Sequence, residues 1–173
     1  MKSLVTKLAI LPLAIASGIA MAGTNLVENG SFENTDTVTD HNGQWQLFDV
    51  IPGWTRSTNA KFEIQTNKLG IIPAQDGEKH IELDSTANYS ISQAIATTAG
   101  NQYEVSFYYS ARVTGNEQTN KAEVFWNSES LAVVNSSTKG WTKYSFTVEA
   151  DSASSVLSFA GAGTSDSVGA FID

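Results

Sequence analysis

The chain has 173 residues, no cysteine and a formal net charge of −8, with 18 acidic and 10 basic side chains. An acidic surface is repelled by nucleic acids and by anionic membranes, so both classes of partner are disfavoured. Without cysteine no disulfide can hold the fold, which must depend on a buried core. A chain of this length can bury such a core as one domain.

The first 22 residues have the pattern of a secretory signal peptide. Lys2 and Lys7 give a positive start, the apolar run LAILPLAIASGIA follows, and Ala20–Ala22 form a small-x-small cleavage site. The apolar run is too short and too interrupted for a good membrane span. We therefore expect residues 1–22 to be removed and residues 23–173 to form a single domain with no membrane span. The mature protein is expected to be secreted or extracytoplasmic, in the periplasm, outside the cell or on its surface.

The remaining sequence consists of short runs rich in β-forming residues, separated by Gly, Asn, Ser, Thr and Asp. The most regular run is YEVSFYYSARV, in which apolar and polar positions alternate as in a half-buried strand. About eight such runs predict an all-β fold, a jelly-roll β-sandwich. Besides YEVSFYYSARV, strands are expected at 80–84, 90–96, 122–126, 131–134, 143–148 and 156–160.

Trp54 lies in the longest irregular region, which runs from Thr35 to about Gln75. The Pro-Gly pair just before it is a turn signal, so Trp54 either folds back into the core or forms an exposed platform on which a ligand stacks. The sequence favours the core position and leaves both alternatives open.

Eight motifs follow one another along the chain: NLVENGSFE, IPGW, AQDGEKHIELDS, SISQAI, YEVSFYYSAR, VFWN, WTKYSFTV and FAGAGTSDSVGAFID. In order and approximate spacing they resemble the secreted family catalogued as domain of unknown function 642. The absence of the cysteines of plant members favours a bacterial type. The resemblance implies a galactose-binding-like β-sandwich, similar to carbohydrate-binding modules. Such domains usually continue with one more strand, so the resemblance leaves open that the domain is C-terminally incomplete at Asp173 and that a surface-anchoring tail is missing.

Catalysis is the less favoured functional class. His41 and His80 are the only histidines, and a Gly-x-Ser-x-Gly motif is absent, which argues against a serine hydrolase or a zinc enzyme. Glu82 and Asp84 are two residues apart on one strand face, about 6.5 to 7 Å, close to the carboxylate spacing of an inverting glycosidase. Nothing in the sequence indicates the raised pKa that the acid partner needs. We therefore expect that the protein is not an enzyme. A glycoside hydrolase is the one catalytic alternative that we keep.

The same polar strand face could instead form a sugar-binding site. We expect Tyr108 and Arg112 to lie beside Glu82, with Trp126 or Asn127 supplied by a neighbouring strand. Aromatic rings contact the C–H faces of sugars, and planar polar groups bind their hydroxyls. Two alternatives stay open: Trp126 is a core residue, or Arg112 only neutralises an acidic neighbour such as Glu82.

These residues predict a secreted, non-catalytic carbohydrate-binding module that recognises a cell-wall, matrix or environmental polysaccharide. Ligand binding is expected to depend more on the face of Tyr108, Arg112 and Glu82 than on the Trp54 loop. The alternative is a structural or adhesive surface module that binds protein. The sequence does not decide between these two classes.

Two carboxylates near the chain ends suggest a metal site. The first and last strands of a jelly roll commonly lie close together, so Glu33 and Asp173 are expected to converge, and paired carboxylates repel unless a positive group lies between them. Calcium is a suitable cation, since it accepts six to eight oxygen ligands. Similar carbohydrate-binding modules carry a structural calcium, and the resemblance implies it for Glu33 and Asp173, more weakly for Asp76. The alternative is that Glu33 caps the turn at 29–31 and that Asp173 is a frayed end.

Overall fold

The computed structural model describes residues 23–57 and 60–173; the predicted signal peptide lies outside these residues. They form two antiparallel sheets of six and five strands, so the predicted all-β sandwich is confirmed. In this part of the chain no helix has the length and hydropathy of a membrane span. The strands are β1 (Trp45–Phe48), β2 (Thr55–Arg56), β3 (Phe62–Thr66), β4 (Lys79–Glu82), β5 (Ser90–Ala96), β6 (Gln102–Ser110), β7 (Ala122–Trp126), β8 (Glu129–Val134), β9 (Thr142–Glu149), β10 (Ser154–Gly161) and β11 (Phe171–Ile172), with short 3-10 helices at Asp40–Gly43 and Asn67–Leu69.

The last strand lies in the middle of the larger sheet. The six-stranded sheet has the order β1-β3-β4-β11-β6-β9, and the five-stranded sheet has the order β2-β5-β10-β7-β8. Phe171 of β11 pairs with Glu82 on one side and with Ser110 on the other. Strand β11 therefore brings β4 and the end of β6 into one continuous face.

The core forms between the inward faces of the two sheets. Ile64, Ile81, Tyr109 and Ile172 of the six-stranded sheet are each no more than 2% exposed. Phe107 meets Phe159 of the five-stranded sheet edge to face, with ring centroids 5.0 Å apart. Full burial of one such apolar side chain contributes about 1.5–3 kcal/mol, so these rows hold the two sheets together.

The opening stretch NLVENGSFEN packs on the IPGW turn. Phe32 is fully buried and stacks on Trp54, with ring centroids 5.4 Å apart. The Trp54 indole N–H donates to the carbonyl of Asn29 at 3.0 Å, and the Trp54 side chain is 7% exposed. Trp54 is therefore a core residue, and the exposed-platform alternative is wrong.

Trp126 and Asn127 belong to the five-stranded sheet and its β7–β8 hairpin, away from the face of Glu82. Trp126 is buried, and its indole N–H donates to the carbonyl of Glu149 at 3.1 Å. Strand β7 points Ala122, Val124 and Trp126 inward by strict alternation. The expected position of Trp126 beside Glu82 is therefore wrong, and the alternative of a core residue is correct. The Asn127 side chain instead holds the hairpin by accepting from Val156 N–H at 2.8 Å.

Candidate functional site

Polar side chains occupy the outward face of β3 and β4, opposite the apolar face that builds the core. Glu63 pairs with Glu82, and Gln65 pairs with His80, so four polar side chains lie together on that face. Each of the four is at most 4% exposed. Arg112, which follows β6, reaches the same place. We call these five residues the polar cluster.

One guanidinium group serves two carboxylates in the polar cluster. Arg112 Nη1 lies 3.6 Å from Glu63 Oε1 and 3.6 Å from Glu82 Oε1. Gln65 Nε2 donates to Glu63 Oε1 at 2.7 Å, and the backbone N–H of Gly169 donates to Glu82 Oε1. The predicted proximity of Arg112 and Glu82 is confirmed, and the neutralising contact weighed as an alternative is also present.

Burial sets the charges of the cluster. It raises the pKa of Glu82 to about 8, with a further rise from the charge of Glu63 and a partial offset from Arg112. Burial also raises the pKa of Glu63. It lowers the pKa of His80 to about 4, and the charge of Arg112 acts in the same direction. At neutral pH His80 is therefore neutral, and burial favours the protonated form of Glu82.

Five buried atoms of the cluster have no hydrogen-bond partner among the described residues: Gln65 Oε1, both ring nitrogens of His80, Glu82 Oε2 and Arg112 Nη1. A buried polar atom left in that condition costs about 1–3 kcal/mol. Native proteins rarely leave several together, because water or a ligand completes them. The face of β3 and β4 is therefore a candidate binding site.

Aromatic side chains border the cluster. Trp141, just before β9, is half-buried and meets the His80 ring edge on, with centroids 5.6 Å apart. Its indole N–H donates to the carbonyl of Pro73 at 2.7 Å, so the segments carrying these two residues meet above the cluster. Tyr108 is half-buried, and its neighbours Phe107 and Tyr109 point inward, so Tyr108 lies on the outward face as expected.

Four residues of this site were missed by the sequence analysis: Glu63, Gln65, His80 and Trp141. A signal for the first two was present, because FEIQT alternates in the same way as the recognised strands. Their burial carried no such signal, since polar positions of an alternating strand ordinarily face water.

The carboxylate pair considered for glycoside hydrolysis is not open to a substrate. Glu82 and Asp84 are both fully buried. Asp84 Oδ2 accepts from the backbone N–H groups of Asp166 and Ser167 at 2.7 and 2.9 Å, and Glu82 accepts from Gly169. Burial does raise the pKa of Glu82, which the sequence did not indicate, but the two carboxylates serve to hold the backbone of 166–169 in place.

Glu33 and Asp173 do approach the same loop, as expected. Glu33 Oε1 accepts from the backbone N–H groups of Glu78 and Lys79 at 2.7 and 2.6 Å. Asp173 Oδ2 accepts from the backbone N–H groups of Asp76 at 3.1 Å and of Gln75 at 2.7 Å. Glu33 therefore holds this loop and not the turn at 29–31, and Asp173 is anchored and not frayed.

The fit of this loop to calcium is incomplete. Burial raises the pKa of Asp173 to about 6, and the charges of Asp76 and Glu33 raise it further. Asp173 Oδ1 is buried with no partner in the described ranges, so it is the oxygen that a cation would engage. Within 23–57 and 60–173, however, no group of three or more acidic or histidine side chains is arranged to hold a metal ion. Calcium stays a prediction from the resemblance.

The two packed antiparallel sheets define a β-sandwich. The chain belongs to the family described as "Protein of unknown function (DUF642)", whose model matches residues 25–173. It is 31% identical over 159 residues to halomucin of Haloquadratum walsbyi, and 28% identical over 154 residues to the multifunctional-autoprocessing repeats-in-toxin of Vibrio cholerae. These matches cover 85% and 86% of this chain but only 2% and 3% of those proteins. Bacterial origin stays a prediction.

Solved structures share the fold at low sequence identity. A family 16 carbohydrate-binding module is 14% identical with a TM-score of 0.52, covering 86% of this chain and 94% of that module. The arabinose-bound α-L-arabinofuranosidase MgGH51 is 13% identical with a TM-score of 0.52, covering 85% of this chain and 25% of the enzyme. These similarities show the sandwich fold and no more.

Proposed function

We propose that this domain is a non-catalytic module that binds a neutral carbohydrate at the half-buried aromatic side chains Tyr108 and Trp141, which border the buried polar cluster. The observation that carries the proposal is the pair of half-buried aromatic side chains beside a set of buried polar atoms that lack partners among the described residues. Gln65 Oε1 accepts, and the His80 ring nitrogens can donate or accept. A sugar hydroxyl also both donates and accepts, so neighbouring hydroxyl groups complement this mixed set.

The charge of the site favours a neutral ligand over an acidic one. An anion needs several donors, whereas Arg112 already lies between Glu63 and Glu82. The formal net charge of −8 also repels an anionic polysaccharide. A carbohydrate ligand is also compatible with the fold, which is similar to that of a family 16 carbohydrate-binding module. The ligand proposed here is a neutral cell-wall, matrix or environmental polysaccharide.

The absence of catalysis and the location are parts of the same proposal. Glu82 and Asp84 are occupied by backbone N–H groups of 166–169, which supports a binding role over hydrolysis. The signal-peptide pattern of residues 1–22 supports secretion or an extracytoplasmic location. Surface anchoring through a segment beyond Asp173 stays a prediction.

Binding is tested on an array of neutral and uronate-containing glycans, followed by affinity measurements on the best ligand. We expect binding to neutral glycans, with the Tyr108→Ala variant weakened roughly tenfold or more because a stacking surface is lost. Tyr103→Ala is the matched control, since Tyr103 is a half-buried tyrosine on the same strand but points inward. Its affinity should be unchanged while the domain remains folded.

Two outcomes count against this proposal. Preference for uronate-containing glycans would contradict the neutral ligand. A folded domain that binds no glycan would favour the alternative of an adhesive module that recognises protein.

A further inference from the structure

Trp45 differs from the other tryptophans in the contact of its indole N–H. Backbone carbonyls of the domain accept from the indole N–H groups of Trp54, Trp126 and Trp141. The indole N–H of Trp45 has no partner within 23–57 and 60–173, and it is not one of the buried atoms in that condition. A buried tryptophan usually bonds this group. The indole N–H of Trp45 is therefore a donor that faces solvent.

Trp45 is half-buried on the outward face of the six-stranded sheet. It begins the edge strand β1 and pairs with Gln65, so its side chain shares the face of the polar cluster. Strands β3, β4 and β11 separate β1 from β6, which places Trp45 about 19 Å from the strand of Tyr108. Trp45 and Tyr108 therefore lie on opposite sides of the polar cluster.

An exposed histidine lies flat on the Trp45 ring. The ring centroids of His41 and Trp45 are 3.8 Å apart, with 11° between the ring planes. His41 is exposed, and no hydrogen bond from the described residues holds its ring. The stack shows that this face of the indole accepts a ring-shaped group.

The turn that carries His41 has an unfavourable backbone. His41, Asn42 and Gly43 follow one another with φ of 47°, 60° and 79°. Left-handed conformations are unfavourable for residues with a Cβ, and such residues concentrate at binding and switch regions. Opening of the turn would relieve two of them. His41 is therefore a cover that a ligand can displace.

We propose that Trp45 is a second carbohydrate contact, at which the pyranose ring of a neutral sugar takes the place of the His41 imidazole. The C–H face of the sugar stacks on the indole, and a hydroxyl of the same or the next sugar unit accepts from the indole N–H. His41 competes with the ligand, because the stacked state is closed to it. The inference rests on the proposed function for the class of ligand, but it uses different residues.

Nuclear magnetic resonance of isotope-labelled protein follows each indole N–H separately. The probes are neutral oligosaccharides of glucose, galactose, mannose, xylose and arabinose. The Trp45 signal, assigned by its loss in Trp45→Phe, should shift saturably with at least one of them. Trp54 and Trp126 are the internal controls, because both are buried and bonded within the domain, and their signals should stay in place.

Replacement of His41 tests the competition. His41→Ala should raise the apparent affinity at Trp45 roughly two- to tenfold, because the aromatic stack no longer opposes the ligand. Asn42→Ala is the matched control, since Asn42 shares the turn and the left-handed φ but has no ring stacked on Trp45. Its affinity should be unchanged.

A Trp45 signal that none of these sugars shifts overturns the inference, and a shift of the Trp141 signal in the same titration would leave the proposed function standing. Equal or weaker binding by His41→Ala also overturns it, because His41 would then not compete with the ligand. If Trp45 responds while Trp141 does not, the proposed site fails and this inference holds. Should His41→Ala fail to fold, the titration of the unsubstituted protein decides.

Discussion

At the scale of single residues, acidic side chains do structural work that the sequence does not reveal. Glu33, Glu82, Asp84 and Asp173 each accept hydrogen bonds from backbone N–H groups of a loop. A carboxylate bonded to backbone amides holds a loop without any apolar contact. In a chain without cysteine these contacts fasten segments that secreted domains often secure with disulfides.

Replacement of Glu82 by glutamine should change the pH dependence of stability. Burial raises the pKa of Glu82 from 4.5 to about 8, so the folded state favours the protonated carboxyl. The contribution of Glu82 to the free energy of unfolding is complete below about pH 4.5 and is lost as the pH rises through about 8. Glu82→Gln keeps a neutral side chain at every pH. We expect it to match the natural protein near pH 4.5 and to exceed it by more than about 1.4 kcal/mol at pH 9.

Urea denaturation at several pH values measures this difference in the free energy of unfolding. Glu104→Gln is the control, because it makes the same chemical change at an exposed acid. A Glu82→Gln difference that stays constant from pH 4.5 to pH 9 would contradict the prediction.

At the scale of elements, the loop before β4 is held by its own glycine as well as by carboxylates. Gly77 has a φ of +73°, and a Cβ added there would lie 2.5 Å from Glu33 Oε1. The close approach lets Glu33 reach the N–H groups of Glu78 and Lys79. Only glycine combines this backbone conformation with this contact.

Gly77→Ala and Gly70→Ala form a matched pair of substitutions. Gly70 has a φ of +74°, but an added Cβ would meet nothing within 4 Å. Both changes carry the left-handed backbone cost of about 1–2 kcal/mol. Gly77→Ala should cost about 1–3 kcal/mol more, because Glu33 must move away from its amides. Chemical denaturation of both variants provides the measurement, and equal losses would show that the Glu33 contact contributes nothing.

At the scale of the whole molecule, segments near both ends of the described domain are built into the sandwich. Phe32 packs on Trp54 near the start of the domain, and β11 lies between β4 and β6 at its end. Glu33 and Asp173 then accept hydrogen bonds from two pairs of amides in one loop, on either side of Gly77. The two ends therefore stabilise one region of the fold jointly.

The calcium prediction belongs to this scale. If calcium binds at Glu33 and Asp173, excess calcium should raise Tm relative to chelator, because it binds the native state preferentially. The shift should be about 2–4 °C for each kcal/mol of stabilisation, and Asp173→Asn should remove it. An identical Tm in calcium and in chelator would leave backbone hydrogen bonding as the role of these carboxylates.

The sequence by itself determined the all-β class and the inward face of most strands. Alternation in YEVSFYYSARV identified Phe107 and Tyr109 as core and Tyr108 as outward. The motif order indicated the family. These properties follow from a period of two residues and from neighbours along the chain, which a single strand already contains.

Only the tertiary structure decided which outward side chains are buried together. Glu63 and His80 lie on adjacent strands, whereas Arg112 arrives from the far side of β11. Trp126 alternates correctly but belongs to the other sheet. The period of a strand defines its two faces, but its neighbours and register depend on long-range pairing and on packing of the whole chain.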